Sequence, residues 1–98
     1  FKPIGPYITT ELDLSDCSVV AKVNGQIVQN GNTSLLIRDV NQLISFITKV
    51  MTLYPGDIIM TGTPGGPGPI APNDICEIEV GGMVLKNPVT SAKYTQKL

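Results

Sequence analysis

The sequence predicts an α+β fold, a β-rich mixed sheet or β-roll of short hairpin-linked strands with one amphipathic helix. Asn-Gly and Gly-Gly turn signals separate short β-prone runs. A single segment carries apolar residues at helical spacing. Helix and strand patterns do not alternate, which disfavours a doubly wound α/β fold. The 98 residues, 42% hydrophobic and 15% charged, suit one folded domain rather than a disordered chain.

The N-terminal third predicts a short strand followed by a β-hairpin. Residues 7–10 are β-prone. Residues 18–24 alternate in polarity, Asn24-Gly25 is a strong hairpin-turn signal, and the return strand is expected to end at Gln29. The polar residues 30–34 read as a turn-rich loop, either carrying amides and hydroxyls toward a site or serving as a plain connection.

The one predicted helix begins after Asp39, which suits an N-cap, and Gln42 three residues later completes a capping box. Its apolar face should pack on the sheet. The residues of that face are Val40, Leu43, Ile44, Ile47, Val50 and Met51. Pro55 cannot continue the helix.

The C-terminal half predicts three further strands. Residues 57–60 are predicted to form a strand, because the apolar run Ile58-Ile59-Met60 is typical of a buried strand. Residues 75–80 alternate, with Glu77 and Glu79 facing outward, and after the Gly81-Gly82 turn residues 83–87 return as a strand. Residues 90–98 are polar and are expected to form a frayed tail.

We expect the rest of the chain to be organised around residues 55–68. The apolar strand leads into Thr61-Gly62-Thr63-Pro64 and a run of Gly and Pro. Threonine hydroxyls and glycine backbone at the end of a strand allow a ligand to come close. The same residues are also typical of a strand followed by a flexible turn. A threonine hydroxyl can donate to a carboxylate or enolate oxygen, but it cannot activate a water by itself.

Composition excludes several functions. The net charge of −1 without a basic patch disfavours nucleic acid, and no apolar run approaches the roughly 20 residues of a membrane span. The absence of histidine removes Ser-His and Cys-His pairs. Cys17 and Cys76 lack metal-site spacing and read as two reduced thiols of a cytoplasmic protein. Because the chain begins at Phe1 rather than Met, we expect it to be a processed or truncated piece, or one part of a larger protein.

Two further motifs each match a known binding site only in part. Glu77 and Glu79 have the E-x-E spacing of a hard-metal site, but no third ligand is near in sequence, and strand alternation favours the solvent face of an edge strand. The glycines at 65–68 invite a phosphate-loop interpretation, yet they lack the G-K-[ST] ending and the helix that should follow.

The order of these segments resembles the C-terminal portion of the fumarylacetoacetate hydrolase family. The family's most specific stretch, TLxPGD-x-I-x-TGTP-x-G-x-G, stands here at residues 52–68 as TLYPGDIIMTGTPGGPG. GPYITT and VNGQIVQNGNTSLLI precede it, and GGMVLKNPV follows it in the family's order. The resemblance implies that residues 1–98 are a single partial domain, the C-terminal half of a catalytic domain. Pro67, which stands where the family usually has Val, is a departure in the loop.

The resemblance implies a hydrolase or isomerase of 2-oxo or enol carboxylic acids, of the acylpyruvate, fumarylacetoacetate or 2-hydroxyhepta-2,4-diene-1,7-dioate type. Oxaloacetate decarboxylases also belong to the family. The implied cofactor is Mg²⁺ or Mn²⁺, whose E-x-E and Asp ligands, with a Lys, lie upstream of residue 1. A homodimer is implied as well. The alternative is a non-catalytic β-rich structural or interaction module.

The resemblance carries over few site residues. Thr63 matches the threonine that contacts the substrate carboxylate. Thr61, Gly62 and Pro64 shape its loop. Gln29 and Asn32 match a loop near the site. No catalytic or metal-binding residue is expected within this chain.

Overall fold

A computed structural model describes residues 3–5 and 7–91. These residues form a four-stranded antiparallel sheet, one α-helix and a short 3-10 turn, which confirms the predicted α+β fold. The elements are β1 (Ser18–Val23), β2 (Gln26–Asn32), the 3-10 turn Thr33–Leu35, α1 (Val40–Thr48), β3 (Ile75–Val80) and β4 (Met83–Pro88). Within the described residues no helix has the length and apolar character that crossing a bilayer requires.

The first hairpin forms as its turn signal predicts. Asn24 and Gly25 take φ values of 53° and 80°, the left-handed pair that a two-residue hairpin turn requires. The return strand is longer than predicted, because Asn32 still pairs with Ser18. The prediction of a polar loop at residues 30–34 was therefore wrong for residues 30–32, which continue β2. Pairing with β1 provides hydrogen-bond partners for the backbone of these residues, and this overrides the turn preference of Asn and Gly.

A β-bulge in β2 decides which face its side chains occupy. Ala21 lies opposite Gln29, whereas the next residue, Lys22, lies opposite Ile27, so Val28 is the extra residue. Directly opposed residues of antiparallel strands point to the same face of the sheet. Gln29 therefore shares a face with Ala21, one of the few buried residues, at 8% exposure.

The central strands β1 and β3 give the sheet two unlike faces. The strand order is β2-β1-β3-β4, and Ala21 and Val19 of β1 lie opposite Ile78 and Val80 of β3 on one face, here called the apolar face. On the other face Glu77 lies between Lys22 and Lys86. The predicted placement of Glu77 on an edge strand was wrong, because β4 pairs along the whole of β3.

Polar side chains join the first hairpin turn to the start of β3. The Asn24 amide donates to the Asp74 carboxylate at 2.9 Å, and its carbonyl oxygen accepts from the Ile75 N–H at 2.9 Å. The second Asp74 oxygen accepts from the Ala71 N–H at 2.8 Å. These bonds hold the start of β3 against the first hairpin turn, although Asn24 and Asp74 are 50 positions apart in sequence.

The predicted strands at residues 7–10 and 57–60 are not strands in the structure. A β-strand is stabilised by hydrogen bonds to a neighbour, and within the described residues no strand pairs with either segment. Ile58 and Met60, predicted to be buried, are 70% and 68% exposed. Only Ile59 between them turns inward.

The helix is capped as predicted but is shorter. The Asp39 carboxylate accepts from the Gln42 N–H at 2.7 Å, and the Gln42 side chain accepts from the Asp39 N–H at 3.0 Å. The helix ends at Thr48, and a tight turn follows in which the Val50 N–H donates to the Ile47 carbonyl. The predicted place of Val50 and Met51 on the helix was wrong. The predicted tail lies mostly outside the described residues.

We expect Asp74 to make folding stability pH-dependent. The Ala71 N–H and the Asn24 amide hold the pKa of Asp74 below its ordinary value of 3.8. A lowered folded-state pKa adds stability above the unfolded value, and this stability is lost as the pH falls below it. Asp74→Asn should therefore destabilise the protein at neutral pH and progressively less as the pH falls below 3.8.

Urea unfolding of the Asp74→Asn variant across that range is the measurement, and Asp13→Asn is the matched control. The Ser15 hydroxyl and N–H also lower the pKa of Asp13. Because these partners lie two residues away, they can persist in the unfolded chain. An equal pH dependence in both variants would contradict the role given to Asp74.

Candidate functional site

The loop at residues 61–65 crosses the apolar face at β2, where Gln29 holds it. The Gln29 Nε2 atom lies 2.9 Å from the Thr63 Oγ1 atom and 2.7 Å from the Pro64 carbonyl oxygen. Gln29 is half-buried, whereas Thr63 is exposed. The structure thus brings together two of the residues predicted to bind substrate, although they are 34 positions apart in sequence.

A close approach of the loop to the strand explains a glycine that the sequence analysis did not single out. A Cβ atom on Gly31 would lie 2.9 Å from the Cβ and Cγ atoms of Pro64. Only a residue without a side chain therefore allows the Pro64 ring to lie against β2. A lone glycine inside a strand is the sequence signal for such a contact, but this glycine was read as part of a turn.

Gly62 gives the loop its shape. Its φ of 95° lies in the region that glycine adopts without strain and other residues rarely adopt. Gly62 lies between the two threonines of the motif, Thr61 and Thr63, which both line the neighbouring cavity. The three predicted residues of this loop, Thr61, Gly62 and Thr63, therefore line the same cavity.

The loop borders a cavity of about 710 Å³ between the apolar face of the sheet and the helix. This volume lies in the range of ligand sites, about 300–1,000 Å³. The sheet contributes Val19, Ile78 and Val80, the helix contributes Val40, Leu43 and Ile44, and residues 61–65 add the polar rim. The site is therefore an apolar chamber with hydroxyl groups at one border.

Asn32 also lines the cavity, but its side chain is engaged in the fold. Its Oδ1 atom accepts from the Ser34 N–H at 2.9 Å and caps the 3-10 turn. Its Nδ2 atom donates to the Asp16 carboxylate at 3.0 Å. The geometry therefore gives Asn32 a structural function at the cavity wall.

The described residues do not fit a divalent metal ion. Residues 3–5 and 7–91 bring together no group of three or more His, Cys, Asp or Glu side chains. The E-x-E pair of Glu77 and Glu79 lies on the face of the sheet opposite Ile78 and the cavity. These two carboxylates are therefore placed away from Thr63.

Comparison with protein families identifies the chain. The family model described as fumarylacetoacetate (FAA) hydrolase C-terminal matches residues 1–90. The chain belongs to this family. An uncharacterised protein of Methanocaldococcus jannaschii is 46% identical over 90 residues, which are 91% of this chain and 38% of that protein. The mitochondrial oxaloacetate decarboxylase of Dictyostelium discoideum is 41% identical over 85 residues, which are 85% of this chain and 39% of the enzyme.

Solved structures in the fumarylacetoacetate hydrolase family share the fold. A 5-carboxymethyl-2-hydroxymuconate delta-isomerase from Mycobacterium smegmatis superposes with a TM-score of 0.84 and 49% identity. The match covers 88% of this chain and 35% of the isomerase. The chain thus spans little more than a third of the length of these relatives.

We expect Gly31→Ala to displace the Thr63 loop. The new methyl group would meet the rigid Pro64 ring, and overpacking of this kind costs about 1–3 kcal/mol. Gly68→Ala is the control, because a Cβ atom there meets open space and should change stability by only about 0.5 kcal/mol. Urea unfolding and the amide chemical shift of Thr63 are the measurements. An unchanged Thr63 shift in Gly31→Ala would contradict the contact.

Proposed function

We propose that this chain is the C-terminal part of the catalytic domain of an enzyme that acts on 2-oxo or enol carboxylic acids. The proposed reactions are hydrolysis, isomerisation or decarboxylation beside the oxo group. The proposed role of Thr63 is to donate a hydrogen bond from its hydroxyl group to the substrate carboxylate. Thr61 and Gly62 shape the loop that presents it.

The observation that carries this proposal is the bond between Gln29 and Thr63 at the rim of the cavity. A hydroxyl group held by the sheet is a preorganised donor, and such donors cost little reorganisation when a ligand binds. Family membership adds support, because the relatives that match include an enzyme named as an isomerase and one named as a decarboxylase. Both names describe chemistry on oxo or hydroxy carboxylic acids.

The residues of this chain account for binding rather than for bond breaking. The hydroxyl of Thr63 can orient a carboxylate, and a hydrogen bond to a charged group is stronger than one between neutral groups. The apolar walls at Val19 and Leu43 would keep water from the remainder of the ligand. Because a threonine hydroxyl is a poor base, proton transfer is assigned to residues outside this chain.

The metal proposed for the complete enzyme is Mg²⁺ or Mn²⁺. Since the described residues do not fit it, we propose that its ligands come from elsewhere in the protein. Exposed apolar side chains such as Ile58 and Met60 support contact with further polypeptide. A homodimer is proposed for the complete enzyme on the same ground.

Replacement of Thr63 in the full-length protein tests the proposal. Thr63→Val removes the donor at nearly constant volume and should lower kcat/KM by about tenfold to a hundredfold, the loss expected for a hydrogen bond to a charged group. Thr63→Ser keeps the hydroxyl and should retain most activity. Thr52→Val, at an exposed threonine outside the cavity, is the control.

The assay uses acylpyruvate, oxaloacetate and 2-hydroxyhepta-2,4-diene-1,7-dioate, each with Mg²⁺, with Mn²⁺ and with EDTA. Turnover of at least one acid that falls in Thr63→Val but not in Thr52→Val is the expected result. An absence of turnover with all three acids would contradict the enzyme proposal and favour a non-catalytic module.

We also expect residues 1–98 alone to be inactive. Because their described part offers no cluster of metal-ligating side chains, the purified fragment should bind Mn²⁺ no better than about millimolar. Calorimetric titration with Mn²⁺, together with the same assays, is the measurement. Turnover by the fragment would show that the catalytic groups lie within it.

A further inference from the structure

The surroundings of Gln29 determine the orientation of its amide. The Pro64 carbonyl oxygen, 2.7 Å away, can only accept a hydrogen bond. The Gln29 atom that faces it must therefore be the nitrogen, since the amide oxygen would place two acceptors against each other. The chemistry of the partner thus assigns the two ends of the amide.

The same nitrogen also contacts the Thr63 Oγ1 atom at 2.9 Å. An amide nitrogen has two protons and accepts no hydrogen bond. One proton is directed to the Pro64 carbonyl and the other to the Thr63 oxygen, so Thr63 is the acceptor in this bond. Its own hydroxyl proton does not point to Gln29 and is left to donate elsewhere.

We infer that Gln29 is a positioning residue that commits the Thr63 hydroxyl to act as a hydrogen-bond donor toward the ligand. This inference rests on the proposed function and replaces the predicted substrate contact of Gln29 with an indirect action through Thr63. A committed donor favours an acceptor group, and the carboxylate of a 2-oxo acid is the strongest acceptor of that class.

Two replacements of Gln29 separate this action from simple anchoring of the loop. Gln29→Leu removes both bonds, so the loop loosens while the Thr63 proton stays free. Gln29→Glu replaces the amide with a carboxylate. This carboxylate accepts a hydrogen bond from the Thr63 hydroxyl and repels the Pro64 carbonyl oxygen. Anchoring and charge repulsion alone predict a loss in Gln29→Glu that does not depend on the Thr63 hydroxyl. Commitment of the donor predicts a larger loss in Gln29→Glu than in Gln29→Leu, and the excess should shrink when Thr63 lacks its hydroxyl.

The experiment is a double-mutant cycle in the full-length enzyme with its best 2-oxo acid substrate. Gln29→Glu should raise KM about tenfold or more, the loss expected for one hydrogen bond to a charged group, with a smaller change in kcat. In a Thr63→Val background the same replacement should cost severalfold less, because only anchoring and charge repulsion remain.

Gln26→Glu and Gln26→Leu are the matched controls. Gln26 lies on the same strand and is exposed, and it does not line the cavity. Both controls should leave KM within about twofold of the wild type. The inference is overturned if Gln29→Glu and Gln29→Leu raise KM equally, or if the cost of Gln29→Glu is the same with and without Thr63.

A ligand-free measurement separates failure of this inference from failure of the proposed function. In ¹H–¹⁵N spectra of the labelled protein, both side-chain amide protons of Gln29 should exchange slowly. Thr63→Val should shift one of them strongly and leave the other bonded to the Pro64 carbonyl. This result supports the inference even if no 2-oxo acid is turned over, and an unchanged pair of resonances overturns it.

Discussion

Two hydrogen bonds from one side-chain amide tie the Thr63 loop to the sheet, and the rest of the site depends on them. Gln29 can make them because the bulge at Val28 leaves it on the apolar face of β2. Gly31, two residues later on the same face, leaves room for the Pro64 ring. A short strand thus supplies both the anchor and the space for the loop.

The strands of the sheet are hydrogen-bonded to one another, but the apolar face of the sheet borders an open cavity. Strand β1 is paired along both edges. Within residues 3–5 and 7–91 the buried residues are Cys17 and Ala21, at 5% and 8% exposure. The helix faces the sheet across the cavity rather than packing into it. The apolar chamber and its hydroxyl rim therefore lie where a ligand or further polypeptide can reach them.

Local signals predicted the parts of the fold that local physics determines. The Asn24-Gly25 turn and the Asp39 cap depend on residues within one turn of each other, and both form as expected. The strand expected at residues 57–60 does not form, because pairing depends on a distant partner rather than on β propensity.

The site could be predicted only in part. Resemblance to the family pointed to Gln29 and Thr63, and the structure shows that they meet. Their bond joins positions 34 residues apart. It also depends on the bulge at Val28, which no local sequence pattern predicted. The function of Gly31 was missed, because Asn and Gly around it indicated a turn.

Neutron diffraction from deuterium-exchanged crystals of the full-length protein tests the central claim most directly, because it locates individual deuterons. We expect the two deuterons on the Gln29 nitrogen to point at the Pro64 carbonyl oxygen and at the Thr63 Oγ1 atom. The Thr63 deuteron should point into the cavity. A Thr63 deuteron directed at a Gln29 amide oxygen would contradict the account.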